Sequence, residues 1–570
     1  MRLFAIRPLV ILLTACGLWA QAQPAARMPE IRTNGAVKQL FVDGQPFIML
    51  AGELHNSSAS SVTYMQPIWK RLAALHVNAV IGTVNWELLE PEEGKFDYTL
   101  VDSQIQDARR HGMRLVLIWF ASWKNATSSY VPMWVKLDQR RFPRMVVKPR
   151  PDLPQHLASM MGATMPAPNL TPLGEASMAA DAKAFAALMR HIKQVDPQHT
   201  VIMMQVENET GLLGDSRDRS PLAEAAWAKP VPAALMDHLV KNKASLLPET
   251  QKVWGANGYK ASGTWSEVFG TDNFAEEAFM AWHVGRYMNR VVEAGKAELP
   301  LPMYVNAWLG PQPQMDQPGQ YPSGGPVARV MDIYHAAGPA IDLLAPDIYV
   351  QDFKGTCALY ARSGNPLFIP EARAITGHLF WSLGQHAGMG FSPFGIEDMK
   401  EDSQLAEAYA FLGPMLPVLA KAQAEGKVRG VLFEPDQTET VSLAGYQVRF
   451  TSSRTRIQLD AGQAPVDPAV VRRQQPVSDS PFGPPPPDTR PQGLLISTGP
   501  DEFLMVGSGL MATFAAASPG PKITEIGYID EGSFENGHWV AGRRLNGDEG
   551  RPVLRSGRFG AIKVKLYRRD

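Results

Sequence analysis

The chain has 570 residues, of which 45% are hydrophobic and 19% charged, with a formal net charge of −1. This composition excludes a disordered chain, and without a basic excess there is no field to hold nucleic acid. The length exceeds what one hydrophobic core usually organises, so a large domain with a smaller companion is expected.

The first 22 residues read as an export signal. Arg2 and Arg7 precede an apolar run from Leu9 to Leu13, and Ala20-Gln21-Ala22 has the small-x-small form of a cleavage site. Leu13-Thr14-Ala15-Cys16 also has the form of a lipoprotein box. Both cleavage after the signal and lipidation of Cys16 are open, and both carry the protein out of the cytoplasm, to a periplasmic or secreted location. The run is shorter than the roughly 20 apolar residues that a membrane span needs, so membrane attachment would be only through a lipid on Cys16. Cys16 and Cys357 are the two cysteines. They leave no intramolecular disulfide and no cysteine-based metal site once the signal is removed.

From residue 31 to 426 short apolar runs alternate with helical patterns. Strands are expected at Phe47–Gly52, Ala79–Val84, Leu115–Phe120, Val201–Val206, Met303–Trp308, Leu343–Tyr349, Leu367–Pro370 and Met389–Phe394. Most lack strict alternation, as strands buried on both faces do. Between them, Met65, Ile68, Trp69, Leu72 and Leu75 recur at helical spacing, as do Phe185, Leu188, Met189 and Ile192, and Leu405, Ala408, Tyr409, Leu412 and Leu416. These stripes are core packing. Eight βα units imply a (β/α)8 TIM barrel, an α/β fold, with the long segments 137–180 and 212–272 built over its mouth. After Gly426 the texture becomes β. Runs at Val428–Glu434, Val441–Phe450, Leu494–Thr498, Phe503–Val506, Ile523–Ile529 and Ile562–Leu566 suggest a β-sandwich-like domain over 427–570. The Pro-rich run 476–491 is an exposed loop within it.

Catalytic groups of a TIM barrel lie at the C-terminal strand ends. Strand four ends in Glu207-Asn208-Glu209, and strand seven reaches Glu371, with Arg373 two residues on to favour its ionised form. Alternation along the strand gives Glu207 and Glu209 a common face. Carboxylates on strands four and seven face each other across the mouth. That pairing is what glycosidic bond cleavage needs: one acid to protonate the leaving oxygen, one carboxylate to attack the anomeric carbon or activate water.

The Asn-Glu pair ending strand four, with a Glu ending strand seven, resembles the large clan of retaining TIM-barrel glycosidases. Gln205-Val206-Glu207-Asn208-Glu209 is most similar to the strand-four motif of glycoside hydrolase family 35, whose best-known members are β-galactosidases. The likeness spans residues 35–400. It implies that Glu209 is the acid/base, Glu371 the nucleophile, Asn208 a contact to the sugar's 2-hydroxyl and Glu207 a supporting residue. Tyr349, in Pro346-Asp-Ile-Tyr349, matches the tyrosine that hydrogen-bonds the nucleophile. The stretch from Trp86 to Pro91 resembles the segment after strand two, and Gly52-Glu-Leu-His55 the end of strand one. The C-terminal part resembles the β domain of a bacterial branch linked with plant polysaccharide side chains, xyloglucan among them.

Two departures fall near the expected sugar subsite. The family's Ala-Glu-Trp after strand three is Ala121-Ser122-Trp123, followed by Lys124-Asn125, and its Asn after the strand-two Trp is Glu87. The implied partner is a carbohydrate, with terminal β-galactosyl groups as the first expectation and α-L-arabinosyl or β-glucosyl groups, or binding without catalysis, as alternatives. Trp86, Trp119, Trp123, Trp308, Tyr349, Trp381 and Phe394 could each stack on a sugar or belong to the core. His55, His378 and His386 lie near strand ends or in loops, where a lone histidine is more often structural. No cofactor or metal is expected, and the sequence sets no oligomeric state.

Overall fold

A computed structural model describes residues 27–126, 129–148, 152–153, 169–433, 437–453 and 485–570. The export signal, Cys16 and the Pro-rich run up to residue 484 lie outside the described residues. Among the described residues no helix is long and apolar enough to cross a membrane.

A small antiparallel sheet, β1 (Glu30–Asn34), β2 (Val37–Val42) and β3 (Gln45–Pro46), precedes the barrel. Asp43 and Gly44, with φ of 51° and 77°, make the two-residue turn between β2 and β3. This sheet closes the bottom of the barrel, because Leu40 and Val42 pack with the innermost barrel residues.

The barrel is closed and parallel. Its strands are β4 (Met49–Glu53), β5 (Ala79–Asn85), β6 (Arg114–Lys124), β7 (Val201–Asn208), β8 (Met303–Trp308), β9 (Leu343–Ile348), β10 (Ile369–Ala372) and β11 (Gly390–Pro393), and β10 pairs back to β9. The period of two sorts their side chains. Met49, Ala51, Ala79, Ile81, Val116, Ile118, Phe120, Tyr304, Leu343 and Ala345 fill the interior. The alternating Leu50, Val80, Leu115, Leu117, Val305 and Leu344 face the surrounding helices. The expected helical stripes are those faces: Met65, Ile68, Trp69 and Leu72 in helix Val62–Ala74, and Phe185, Leu188, Met189 and Ile192 in helix Glu175–Val195, are buried. Short helices at Pro221–Trp227, Ala233–Lys241, Pro248–Gly255 and Trp265–Phe269 occupy the long excursion after β7.

The C-terminal domain is antiparallel. Its strands are β12 (Val428–Leu432), β13 (Glu439–Leu443), β14 (Tyr446–Ser452), β15 (Gln492–Gly499), β16 (Glu502–Ser508), β17 (Leu510–Ala516), β18 (Ile523–Glu535), β19 (His538–Leu545) and β20 (Gly560–Arg569). They form a six-stranded sheet in the order β12-β15-β16-β20-β18-β19 and a three-stranded sheet β13-β14-β17. Val448, Phe450, Phe503, Met505, Phe514, Ile562, Val564 and Leu566 make the core between the two sheets. The run expected as one strand over Val441–Phe450 is two strands. Ala444 and Gly445, with φ of 48° and 82°, turn the chain back on itself.

The larger sheet has a second dry face. Leu494, Ile496, Leu504, Val506 and Ala561 join the core that surrounds the barrel. Helix Thr376–Gln385 lies on β12 so closely that a Cβ added to Gly384 would stand 2.6 Å from the Gly430 Cα. Asp488 accepts from the Gly377 N–H at 3.1 Å, and its carbonyl accepts from Gln404 Nε2 at 2.9 Å.

Candidate active site

The upper ends of the barrel strands carry a ring of polar residues above the apolar interior layers. On β9, Asp347 follows Leu343 and Ala345 on the inward face, and on β8 Asn306 follows Tyr304. Glu209, Asp347 and Glu371 each bring an oxygen within 4.8 Å of the other two, and all three are buried. Glu371 Oε1 accepts from Tyr349 Oη at 2.7 Å. Asn306 joins the other two: its Oδ1 accepts from the Glu209 N–H at 3.0 Å, and its Nδ2 donates to Asp347 Oδ2 at 2.7 Å. Glu209 and Asp347 hydrogen-bond through their carboxyl groups. Lys124 Nζ donates to Asn208 Oδ1 at 2.8 Å and also to Asn125 Oδ1.

Electrostatics separate the carboxyl groups. Burial, and then the charge of Glu371, raise the pKa of Glu209 to about 7, while Lys124 and the hydrogen bond from Asp347 act the other way. Burial, followed by the charges of Glu371, Glu209 and Glu53, holds Asp347 well above the usual carboxylate range. Burial and the surrounding carboxyl groups thus favour the protonated form of both Glu209 and Asp347. Burial and the neighbouring Glu371 likewise push the Tyr349 hydroxyl up, so it remains a proton donor to Glu371.

Glu207 does not share a face with Glu209. Its carboxylate turns to the wall and accepts from the backbone N–H groups of Ser122 and Trp123, each at 2.9 Å, and of Ala121 at 3.2 Å. The cause is local: Glu207 and Glu209 have φ of 63° and 47°, left-handed values that break strand alternation. Behind the wall Glu207 meets Asp181, and burial together with the Asp181 charge raises the Glu207 pKa well above normal. Trp119 Nε1 donates to Asp181 at 2.8 Å, Tyr287 Oη at 2.9 Å and Ser122 Oγ at 3.1 Å. Ser122 thus points away from the mouth. The pairing of β6 with β7 is irregular between Trp119 and Lys124, which reorients the residues between them.

The remaining sequence candidates divide. Trp308 is half-buried at the end of β8 on the inward face. Trp123 is fully buried, edge-on to Tyr287 at 4.9 Å. Trp86 is fully buried, donates to Glu90 Oε2 at 2.8 Å and packs against Trp119 and Trp134, so it is core. Glu87 pairs with Lys136 at 2.8 Å. His55 sits on the rim, with Nε2 2.7 Å from Asp398 Oδ2 and its ring edge-on to Phe394. Asp347 and Asn306 were missed, although both follow from inward parity, two residues before Tyr349 and two after Tyr304.

Glu209, Asp347 and Glu371 are also the described residues that could hold a cation.

Comparison with known proteins adds two family matches. Residues 59–274 match the glycoside hydrolase family 42 model, described as beta-galactosidase. Residues 405–555 match a domain of unknown function (DUF5597). A β-galactosidase of Xanthomonas manihotis is 27% identical over 217 residues, 37% of this chain and 31% of the relative, so the chain spans about a third of that relative's length. Solved β-galactosidases of Rahnella sp. R3 and of Bacillus circulans sp. alkalophilus cover 65% and 66% of this chain and 57% of their own, at 16% and 14% identity and TM-scores of 0.41 and 0.42. The matching model is that of family 42, so the resemblance read from the strand-four motif is met at the level of the TIM-barrel glycosidases.

Proposed function

We propose that the protein is a retaining glycosidase that removes terminal β-galactosyl groups by double displacement. The observation that carries this reading is the approach of Glu209 and Glu371 to within 4.8 Å in different surroundings. Retaining enzymes hold their two carboxyl groups about 5 Å apart, whereas inverting ones leave room for a water. Glu371, with the Tyr349 hydroxyl on one oxygen, attacks the anomeric carbon as the glycosidic bond breaks. Glu209, with a pKa of about 7, gives its proton to the leaving oxygen. Water then enters, Glu209 takes a proton from it, and the bond to Glu371 is broken with net retention.

The similarity of residues 59–274 to a β-galactosidase model favours galactose. The two departures that suggested α-L-arabinosyl or β-glucosyl groups weigh less, since Ser122 bonds to Asp181 and Glu87 to Lys136. Our reading further includes export through residues 1–22, a family 35 relationship and plant oligosaccharides such as xyloglucan fragments as substrates.

Nitrophenyl β-galactoside hydrolysis tests the reading. The wild type turns it over, Glu371→Gln loses activity by several orders of magnitude, and Glu209→Gln loses about 10²- to 10⁴-fold with a poor leaving group but far less with a dinitrophenyl one. Absence of turnover on galactosides, arabinosides and glucosides alike would sink it.

A further inference from the structure

Glu53 ends β4 and is fully buried. It follows Met49 and Ala51 on the inward face, so its carboxylate stands in the mouth, facing Glu371, Lys124 and Glu209. Neither of its oxygens has a hydrogen-bond partner among the described residues. This is unlike the buried acids of the wall. Glu207 accepts from three backbone N–H groups, and Asp181 from Trp119, Ser122 and Tyr287.

A buried acid without partners carries a desolvation cost that no bond within the protein offsets, and such a group in a native fold calls for a partner from outside the chain. Asn208 Nδ2 and Glu371 Oε2, in the same mouth, share this condition. Glu371 Oε2 is the free oxygen of the proposed nucleophile. Glu53 lies outside both catalytic steps.

We infer that Glu53 is a specificity-determining residue, whose carboxyl group hydrogen-bonds adjacent hydroxyls of the sugar ring held between Glu209 and Glu371. The inference rests on the glycosidase reading. Its ligand class is a pyranose with a free vicinal diol. Ser122, at the end of β6, faces Asp181, and Glu53 supplies an acid to the mouth from β4.

Calorimetric binding of galactose, arabinose and glucose, and of the monodeoxygalactoses, to the wild type, Glu53→Gln and Glu53→Leu tests this, with melting temperatures measured alongside. The wild type binds at least one monosaccharide. Glu53→Leu binds it about 10- to 100-fold more weakly yet melts at the same or a higher temperature, because an unpaired buried carboxyl is gone. The deoxy sugar that lacks the gripped hydroxyl binds both proteins equally, the signature of a direct pair. Unchanged binding in Glu53→Leu overturns the inference. So does an equal loss for every deoxy sugar with a lowered melting temperature, or a wild type that binds none of the sugars. Sugar binding that depends on Glu53 in a protein that cleaves no glycoside would defeat the glycosidase reading alone.

Discussion

In the proposed mechanism Glu209 holds a proton when the leaving group departs and has released it before water attacks. Its pKa of about 7, set first by burial and then by Glu371, suits both steps near neutrality. The acid form is lost as pH rises through that value, so kcat/KM for an unactivated galactoside should fall above about pH 7. Asp347 donates to the Glu209 carboxylate and so favours its ionised form. Asp347→Ala, which removes the donor, should move the alkaline limb to higher pH, whereas Asp347→Asn, which keeps an N–H, should leave it near neutrality. Identical profiles in all three proteins would show that Asp347 has no part in setting it. At this scale the sequence revealed residue types better than directions. Glu371, Glu209, Asn208 and Tyr349 were legible from strand ends. Glu207 and Ser122 were misdirected, because a left-handed φ and an irregular β6–β7 pairing are invisible to a period-two count.

Strands and helices were the most legible layer. All eight barrel strands overlap the apolar runs, since burial on both faces leaves a composition that is easy to find. Legibility fell in the C-terminal sheets. β17 and β19 were missed, and β18 runs on to Glu535. β19 is mostly exposed, so no apolar run announces it, yet Asn536-Gly537 between Glu535 and His538 is a strong local hairpin signal. One close junction between elements is helix Thr376–Gln385 on β12. Gly384→Val would drive side-chain atoms into the Gly430 backbone, whose Cα lies 2.6 Å from the added Cβ. Overpacking of this kind costs about 1–3 kcal/mol. The variant should melt several degrees lower while its kcat at 20 °C stays close to that of the wild type, since the site lies on other strands. An unchanged melting temperature would mean that the helix and sheet can move apart freely.

For the whole molecule, the six-stranded sheet is a shared wall. One face closes on the three-stranded sheet and the other completes the packing around the barrel. Deleting 427–570 would expose Leu379, Leu383 and their neighbours, which lie in the core that also holds Leu432, Leu494 and Ile496. The truncated barrel should therefore be insoluble or bind a hydrophobic dye strongly; a soluble, active truncation would make the sheets a separable carbohydrate-binding module instead. The hydrogen bonds from Gly377 and Gln404 to Asp488 run across the same boundary. A seam bonded in this way resists recombination: a barrel grafted onto a foreign sheet partner would inherit mismatched contacts at both glycines and at Asp488. The two parts should accordingly travel through evolution as one inheritable cassette, and the stretch matched from residue 405 onward, which opens inside a barrel helix, already straddles that seam.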